Sequence, residues 1–162
     1  MATIELRDIV TEEARAAALA LRVRPGQEQF VASVEESLRD AERYPEALAR
    51  FWAVHDGDDI VGFAMISDGI PEDVLAADPT LVGPYFLWRL LIDQRHQRRG
   101  YGSATLDAVV AYVGRRGGTE LLTSYSDGEG TPGPFYERYG FVATDRIVEG
   151  ERLLRLDLGG RT

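Results

Sequence analysis

Residues Leu90 to Ser103 constrain this chain more than any other segment. They read Leu-Leu-Ile-Asp-Gln-Arg-His-Gln-Arg-Arg-Gly-Tyr-Gly-Ser and run into an apolar helical pattern from Ala104 to Val113. An extended apolar run, a basic turn with two glycines and a helix must follow one another without a linker. Such a turn aims several backbone N–H groups, and the positive end of the helix, at one spot. That spot suits an anion, a phosphate or pyrophosphate above all.

The remaining pattern builds a mixed α/β sheet around this unit. Ile4 to Ile9 alternates as an opening strand, and Glu12 to Leu21 is an alanine-rich helix. Pro25-Gly26 breaks it. Gln27 to Tyr44 reads as one further helix, with Phe30, Val34, Leu38 and Ala41 on one face and Pro45 ending it. Phe51–His55 and Ile60–Ile66 flank Asp56-Gly57-Asp58, a hairpin signal. Residues 68–84 form a loop with room for a short helical turn. Tyr85–Ile92 is a buried strand, and Gly102–Arg115 a helix that Gly117-Gly118 ends. A strand at Glu120–Tyr125, a short helix at Phe135–Tyr139 and strands at Phe141–Val148 and Arg152–Leu158 complete the chain.

Composition narrows the function. The fractions of hydrophobic (44%) and charged (28%) residues are those of a soluble globular protein. With no cysteine there is no disulfide, no thiolate nucleophile and no cysteine-ligated metal. Two histidines, His55 and His96, speak against a zinc site or a histidine triad, so no metal is expected. A formal net charge of −9 disfavours nucleic acid as a partner and suits cationic small molecules, although it also serves solubility. No apolar run is long enough to span a bilayer, and the N-terminus lacks a signal-peptide core. No membrane partner and a cytoplasmic location are therefore expected.

Three ligands compete for the glycine turn. A dinucleotide fingerprint begins at Gly100-Tyr101-Gly102, but Thr105 holds its third glycine position and no acid ends the next strand. A P-loop would need a lysine that is missing. The third is coenzyme A. Gln97-x-x-Gly100-x-Gly102, together with Phe135-Tyr136-Glu137-Arg138-Tyr139-Gly140-Phe141, resembles the two signatures of the GNAT N-acetyltransferase superfamily, in the family's order and spacing.

That resemblance covers nearly the whole chain, residues 1–162 as a single domain. It implies a central, mostly antiparallel twisted sheet flanked by about four helices. It implies acetyl-CoA as the donor and direct attack by a primary amine. The amides of Arg98, Arg99, Gly100, Tyr101, Gly102 and Ser103 would cradle the pyrophosphate, with Gln97 in the same motif. Leu91 and Ile92 would lie along the pantetheine arm, where the strand splays from its neighbour. The amide at Leu90 would polarise the thioester carbonyl and stabilise the oxyanion. Tyr136 would protonate the leaving thiolate. Dimers are common in the family, so a homodimer is expected.

The attacking amine poses a further demand. An alkylamine with a pKa of about 10.4 is well under ~1% neutral at pH 7, a shortfall of roughly 4–5 kcal/mol. Some family members place a glutamate where this chain has Phe86, and Trp88 on the same face is also non-ionisable. Glu28, Glu36, Asp40 and Asp93 remain as candidate bases. A second departure is Glu129, which stands near a position where many members have asparagine, within a loop rich in Gly and Pro.

The acceptor would be a small-molecule amine. The N-terminal third is similar to bacterial polyamine acetyltransferases at Val23, Gln27, Phe30-Val31, Ser33, Leu38 and Asp40-Ala41, then at Gly62–Met65, Arg89 and Ile92-Asp93. On that resemblance Glu28, Glu36 and Asp40 would bind a polycation, with Phe30 and Trp88 as walls. Antibiotic amines, amino acids and peptide amines remain alternatives, as does a non-catalytic acyl-CoA sensor.

Overall fold

The computed structural model describes residues 3–159. Strand β1 (Glu5–Arg7) is followed by helix α1 (Glu12–Leu19), whose N-terminus is capped by Thr11 Oγ1 accepting from the Ala14 amide at 3.0 Å. The single helix expected over 27–44 is two pieces. Gln27–Gln29 makes one 3₁₀ turn, and α2 (Val34–Arg43) begins only after Ser33. The reason is local: Ser33 Oγ accepts from the Glu36 amide at 3.1 Å, a cap that starts a new helix.

The expected hairpin forms from β2 (Ala49–Asp56) and β3 (Asp59–Asp68), with Gly57 at φ 60° in its two-residue turn. The loop that follows holds the helical turn anticipated for it, α3 (Glu72–Ala77). Strand β4 (Tyr85–Ile92) leads through the 3₁₀ turn Gln94–His96 into α4 (Tyr101–Arg115). Gly117, at φ 88°, lets the Gly118 amide reach back to the Val113 carbonyl and close that helix. The chain ends in β5 (Glu120–Tyr125), α5 (Gly133–Tyr139), β6 (Val142–Val148) and β7 (Glu151–Asp157).

The seven strands form one sheet in the order β1-β2-β3-β4-β5-β7-β6. Every neighbouring pair is antiparallel except β4 with β5. One face is covered by α4 and α5, through Leu106, Val109, Val113 and Tyr136. The other is covered by α1 and α2, through Ala18, Val34 and Leu38, and by Leu21 just after α1, on Phe63, Met65 and Leu91. The mostly antiparallel sheet is as expected, with five helices rather than about four.

Two irregularities shape the middle of the sheet. First, β4 and β5 are in register at a single pair, Phe86 with Leu122, and then part. The Thr123 hydroxyl donates to the Leu87 carbonyl at 3.0 Å across the opening, and beyond it β4 has no strand on that side. Second, β4 bulges against β3, because Met65 pairs with Arg89 but Ile66 with Leu87. The extra residue, Trp88, reverses the alternation. Before it the odd residues Tyr85 and Leu87 join the core under α4; after it the even residues Leu90 and Ile92 do.

Leu106 is fully buried at the centre of the α4 layer. Leu106→Ala should lower unfolding free energy by about 2–5 kcal/mol in urea denaturation, with the denaturant slope unchanged.

Candidate functional site

The glycine turn is held from behind. Asp93, only 1% exposed, accepts from the amides of Arg22 (2.9 Å) and Arg95 (3.1 Å) and from Arg95 Nε (2.7 Å). Burial opposes its ionisation, yet these hydrogen bonds keep its carboxyl below the usual carboxylate range. The Gln97 side chain donates to the Ile92 carbonyl (3.0 Å) and to Gln27 Oε1 (2.9 Å), tying the turn to the strand it leaves.

In front, the turn is open. Arg98 (φ 64°) and Gly100 (φ 81°) take the left-handed conformation, and no side chain caps α4. The first amides of the helix, at Tyr101, Gly102 and Ser103, have no intrahelical acceptor. Arg98, Arg99, Gly100 and Ser103 are exposed around them. The Tyr101 ring instead turns inward, its hydroxyl donating to Asp56 at 2.5 Å, so only its backbone faces the turn. A side chain at Gly102 would press on the Phe135 ring, since a Cβ there would lie 3.0 Å from it.

A cavity of about 570 Å³ opens where β4 and β5 part. Phe86, Leu87, Trp88, Arg89 and Leu90 line one wall, with the bulge at Trp88 lying within it. Phe30 of the N-terminal segment forms another wall and supports the loop before α5, approaching Gly128 and Gly130. Tyr136 enters from α5, 7% exposed and packed edge-on against Phe141. Burial, opposed by a hydrogen bond with the Thr123 hydroxyl and aided by the Glu151 carboxylate, pushes its phenol up to about 12. It therefore keeps its proton at neutral pH.

The carboxylates expected to serve the acceptor fare differently. Asp40 lines the cavity but is bound to Arg89, whose Nη2 donates to it at 2.8 Å. Burial pulls the Arg89 guanidinium below its ordinary value, Asp40 counters this, and Trp88 lies 5.5 Å beneath the cation. Glu28 and Glu36 lie off the cavity lining, exposed to solvent. Glu28 is drawn back to accept from the Gly26 amide at 2.9 Å, while Glu36 stays close enough to Arg89 for its charge to act on that cation. Asp93 is consumed in holding the turn. Glu129 is exposed in its loop and also off the cavity.

Cavity groups not singled out in the sequence include Thr123, Ser124 and Glu151. The signal for Glu151 was Glu149-Gly150, whose backbones at φ 49° and 82° make a two-residue hairpin turn between β6 and β7. That turn starts β7 at Glu151, and strand alternation then puts Glu151 and Leu153 on the cavity side.

The model of the acetyltransferase (GNAT) domain family matches residues 47–143. The chain belongs to this family. Among solved structures, it resembles an acetyltransferase from Thermus thermophilus at 23% identity and TM-score 0.68, over 98% of this chain and 100% of that one. It also resembles a Bacillus subtilis acetyltransferase solved with CoA, at 14% identity and TM-score 0.64 over 98% and 99%. A third is the Escherichia coli ribosomal-protein-S18-alanine N-acetyltransferase, at 16% identity and TM-score 0.61 over 97% and 94%. No curated protein matches the sequence. The matched part of this GNAT domain holds the glycine turn, β4 and Tyr136. Phe30, Asp40 and Glu151 fall outside it. Among the described residues no helix is long and apolar enough to cross a membrane, and no His, Asp or Glu side chains cluster as metal ligands.

The Tyr136 environment is measurable. A phenol raised by burial contributes stability that is present below pH 10 and is lost as pH climbs through about 12. Between those limits the wild type should lose stability more steeply than Tyr136→Phe. Its tyrosinate absorbance near 295 nm should also contain one late step that the variant lacks.

Proposed function

We propose that this GNAT acetyltransferase moves the acetyl group of acetyl-CoA to the amine of a small cationic acceptor, a polyamine being the best fit. The observation that carries the donor half is the parting of β4 and β5 beside Tyr136, at the end of a strand that runs into an uncapped helix N-terminus. This fits the cofactor's shape and charge. The amides of Arg98, Arg99, Gly100, Tyr101, Gly102 and Ser103 would hold the pyrophosphate, with Arg98 and Arg99 adding positive field. Gln97 would keep that turn in register with β4. The free edge of β4 at Leu90, Leu91 and Ile92 would bond the pantetheine amides as a strand would.

When bound, acetyl-CoA supplies an activated acetyl thioester. The Leu90 amide would donate to its carbonyl oxygen, and Tyr136, kept protonated by burial, would donate to the departing sulfur. Glu46, Glu149 and Glu151 line the cavity outside any ion pair among the described residues, while Asp40 and Arg89 neutralise one another. That surplus of carboxylate beside Phe30 and Trp88 favours a cation with apolar stretches.

Thiol release from acetyl-CoA should be fastest with spermidine in a panel that also holds 1,4-diaminobutane, an amino acid, an aminoglycoside and a peptide with N-terminal alanine. A faster peptide would move the acceptor toward that of the E. coli neighbour. No thiol release from any amine, despite stabilisation by acetyl-CoA, would make this a non-catalytic binding domain. Stabilisation by NAD(H) rather than acetyl-CoA would overturn the donor assignment. Tyr136→Phe should slow turnover about 10²-fold while the thermal shift given by acetyl-CoA is retained.

A further inference from the structure

Each carboxylate lining the cavity except one is paired or stands at the mouth. Asp40 is bound by Arg89, and Tyr136 holds its proton. Glu46 and Glu149 are exposed at the rim. Glu151 is only partly exposed, and Ser124 Oγ donates to its Oε1 at 2.6 Å. It is close enough to Tyr136 and Arg89 for its charge to act on both. The β6–β7 turn fixes its backbone, and the Ser124 bond fixes its carboxylate.

Resting on the acetyltransferase reading above, we infer that Glu151 is the general base for the acceptor amine, and that Ser124 positions it. The β4 wall, Phe86 to Leu90, holds no carboxylate, so the carboxylate comes from β7 across the opening. The second carboxylate oxygen of Glu151 is free to take a proton. An incoming ammonium gives one proton to Glu151, which passes it to solvent. The amine nitrogen then bonds to the acyl carbon as the carbon–sulfur bond breaks. The nitrogen's second proton is lost as the sulfur gains one from Tyr136, which recovers it. The sum is ammonium plus thioester giving amide, thiol and one released proton.

A base matters only for an amine that arrives protonated. The test therefore compares spermidine, or the fastest alkylamine of the panel, with hydroxylamine, which is already neutral at pH 7.5. Glu151→Gln should lower kcat about 10²-fold on the alkylamine and less than about fivefold on hydroxylamine. The thermal shift given by acetyl-CoA should be unchanged. Ser124→Ala should show the same selectivity with a loss of about tenfold, and it decides the matter if Glu151→Gln does not fold. Equal losses on both amines would make Glu151 structural, and a raised KM with unchanged kcat would make it a mere anchor; either overturns the inference. Failure of the acetyltransferase reading itself looks different: the wild type then releases no thiol with any amine.

Discussion

The parting of β4 from β5 is the constraint on which the rest of the site depends. A parallel pair held at one register point leaves backbone donors and acceptors on β4 without a strand to meet them. Such groups tolerate exposure only if water or a ligand satisfies them. The opening is kept from closing by what stands in it. Thr123 spans its narrow end to Leu87, and α5 inserts Tyr136 at its side. The same opening leaves a cavity between sheet, loop and N-terminal segment, and on the proposed reading a ligand would enter along β4. The helix amides lie at the far end of the same strand, so one backbone defect aligns an extended bonding edge with an anion site.

The bulge at Trp88 then decides which side chains see that cavity. A regular strand would alternate strictly; the extra residue leaves Trp88 and Arg89 side by side on the cavity wall, while Leu87 and Leu90 both pack in the core under α4. Arg89 is brought into a half-buried setting where its charge is desolvated, and Asp40 on α2 offsets that. This pairing docks α2 onto the sheet beside the cavity. It also ties up Asp40, one of the two α2 carboxylates expected to meet an acceptor. Part of the acid in this chain is therefore scaffold, and the net charge alone says little about which carboxylates meet a ligand.

What was legible in the sequence follows from how local each signal was. The strand–turn–helix around Gly100 could be read because glycine placement, apolar run and helical period all lie within one window. β4 and β5 keep the bounds expected of them, Tyr85–Ile92 and Glu120–Tyr125. The 27–44 segment could not, because its apolar spacing fits one helix and only the Ser33 cap divides it. Phe30, Trp88 and Asp40 line one cavity, whereas Glu28, held by the Gly26 amide, and Glu36, exposed on α2, lie off its lining. The bulge left no sequence mark, for it arises from register between two strands. Glu151 was missed for a similar reason: its place depends on a hairpin turn and on Ser124, which is far from it in the chain.

These observations divide the site by origin. The donor half lies within a continuous stretch whose geometry is set by backbone: glycine conformations, an uncapped helix and a free strand edge. Backbone features tolerate wide sequence change, which fits close similarity in fold to structures of 14–23% identity. On the proposed reading, the acceptor half would be assembled from side chains of the N-terminal segment, the β4 bulge and the last hairpin. Phe30, Asp40 and Glu151, three of its walls, lie outside the span that defines the family. Side chains drawn from separate segments can change without disturbing the backbone that holds the donor. A fold built this way keeps one chemistry while its acceptor varies, so the acceptor must be argued from Phe30, Trp88, the Asp40–Arg89 pair and Glu151 rather than from the glycine turn.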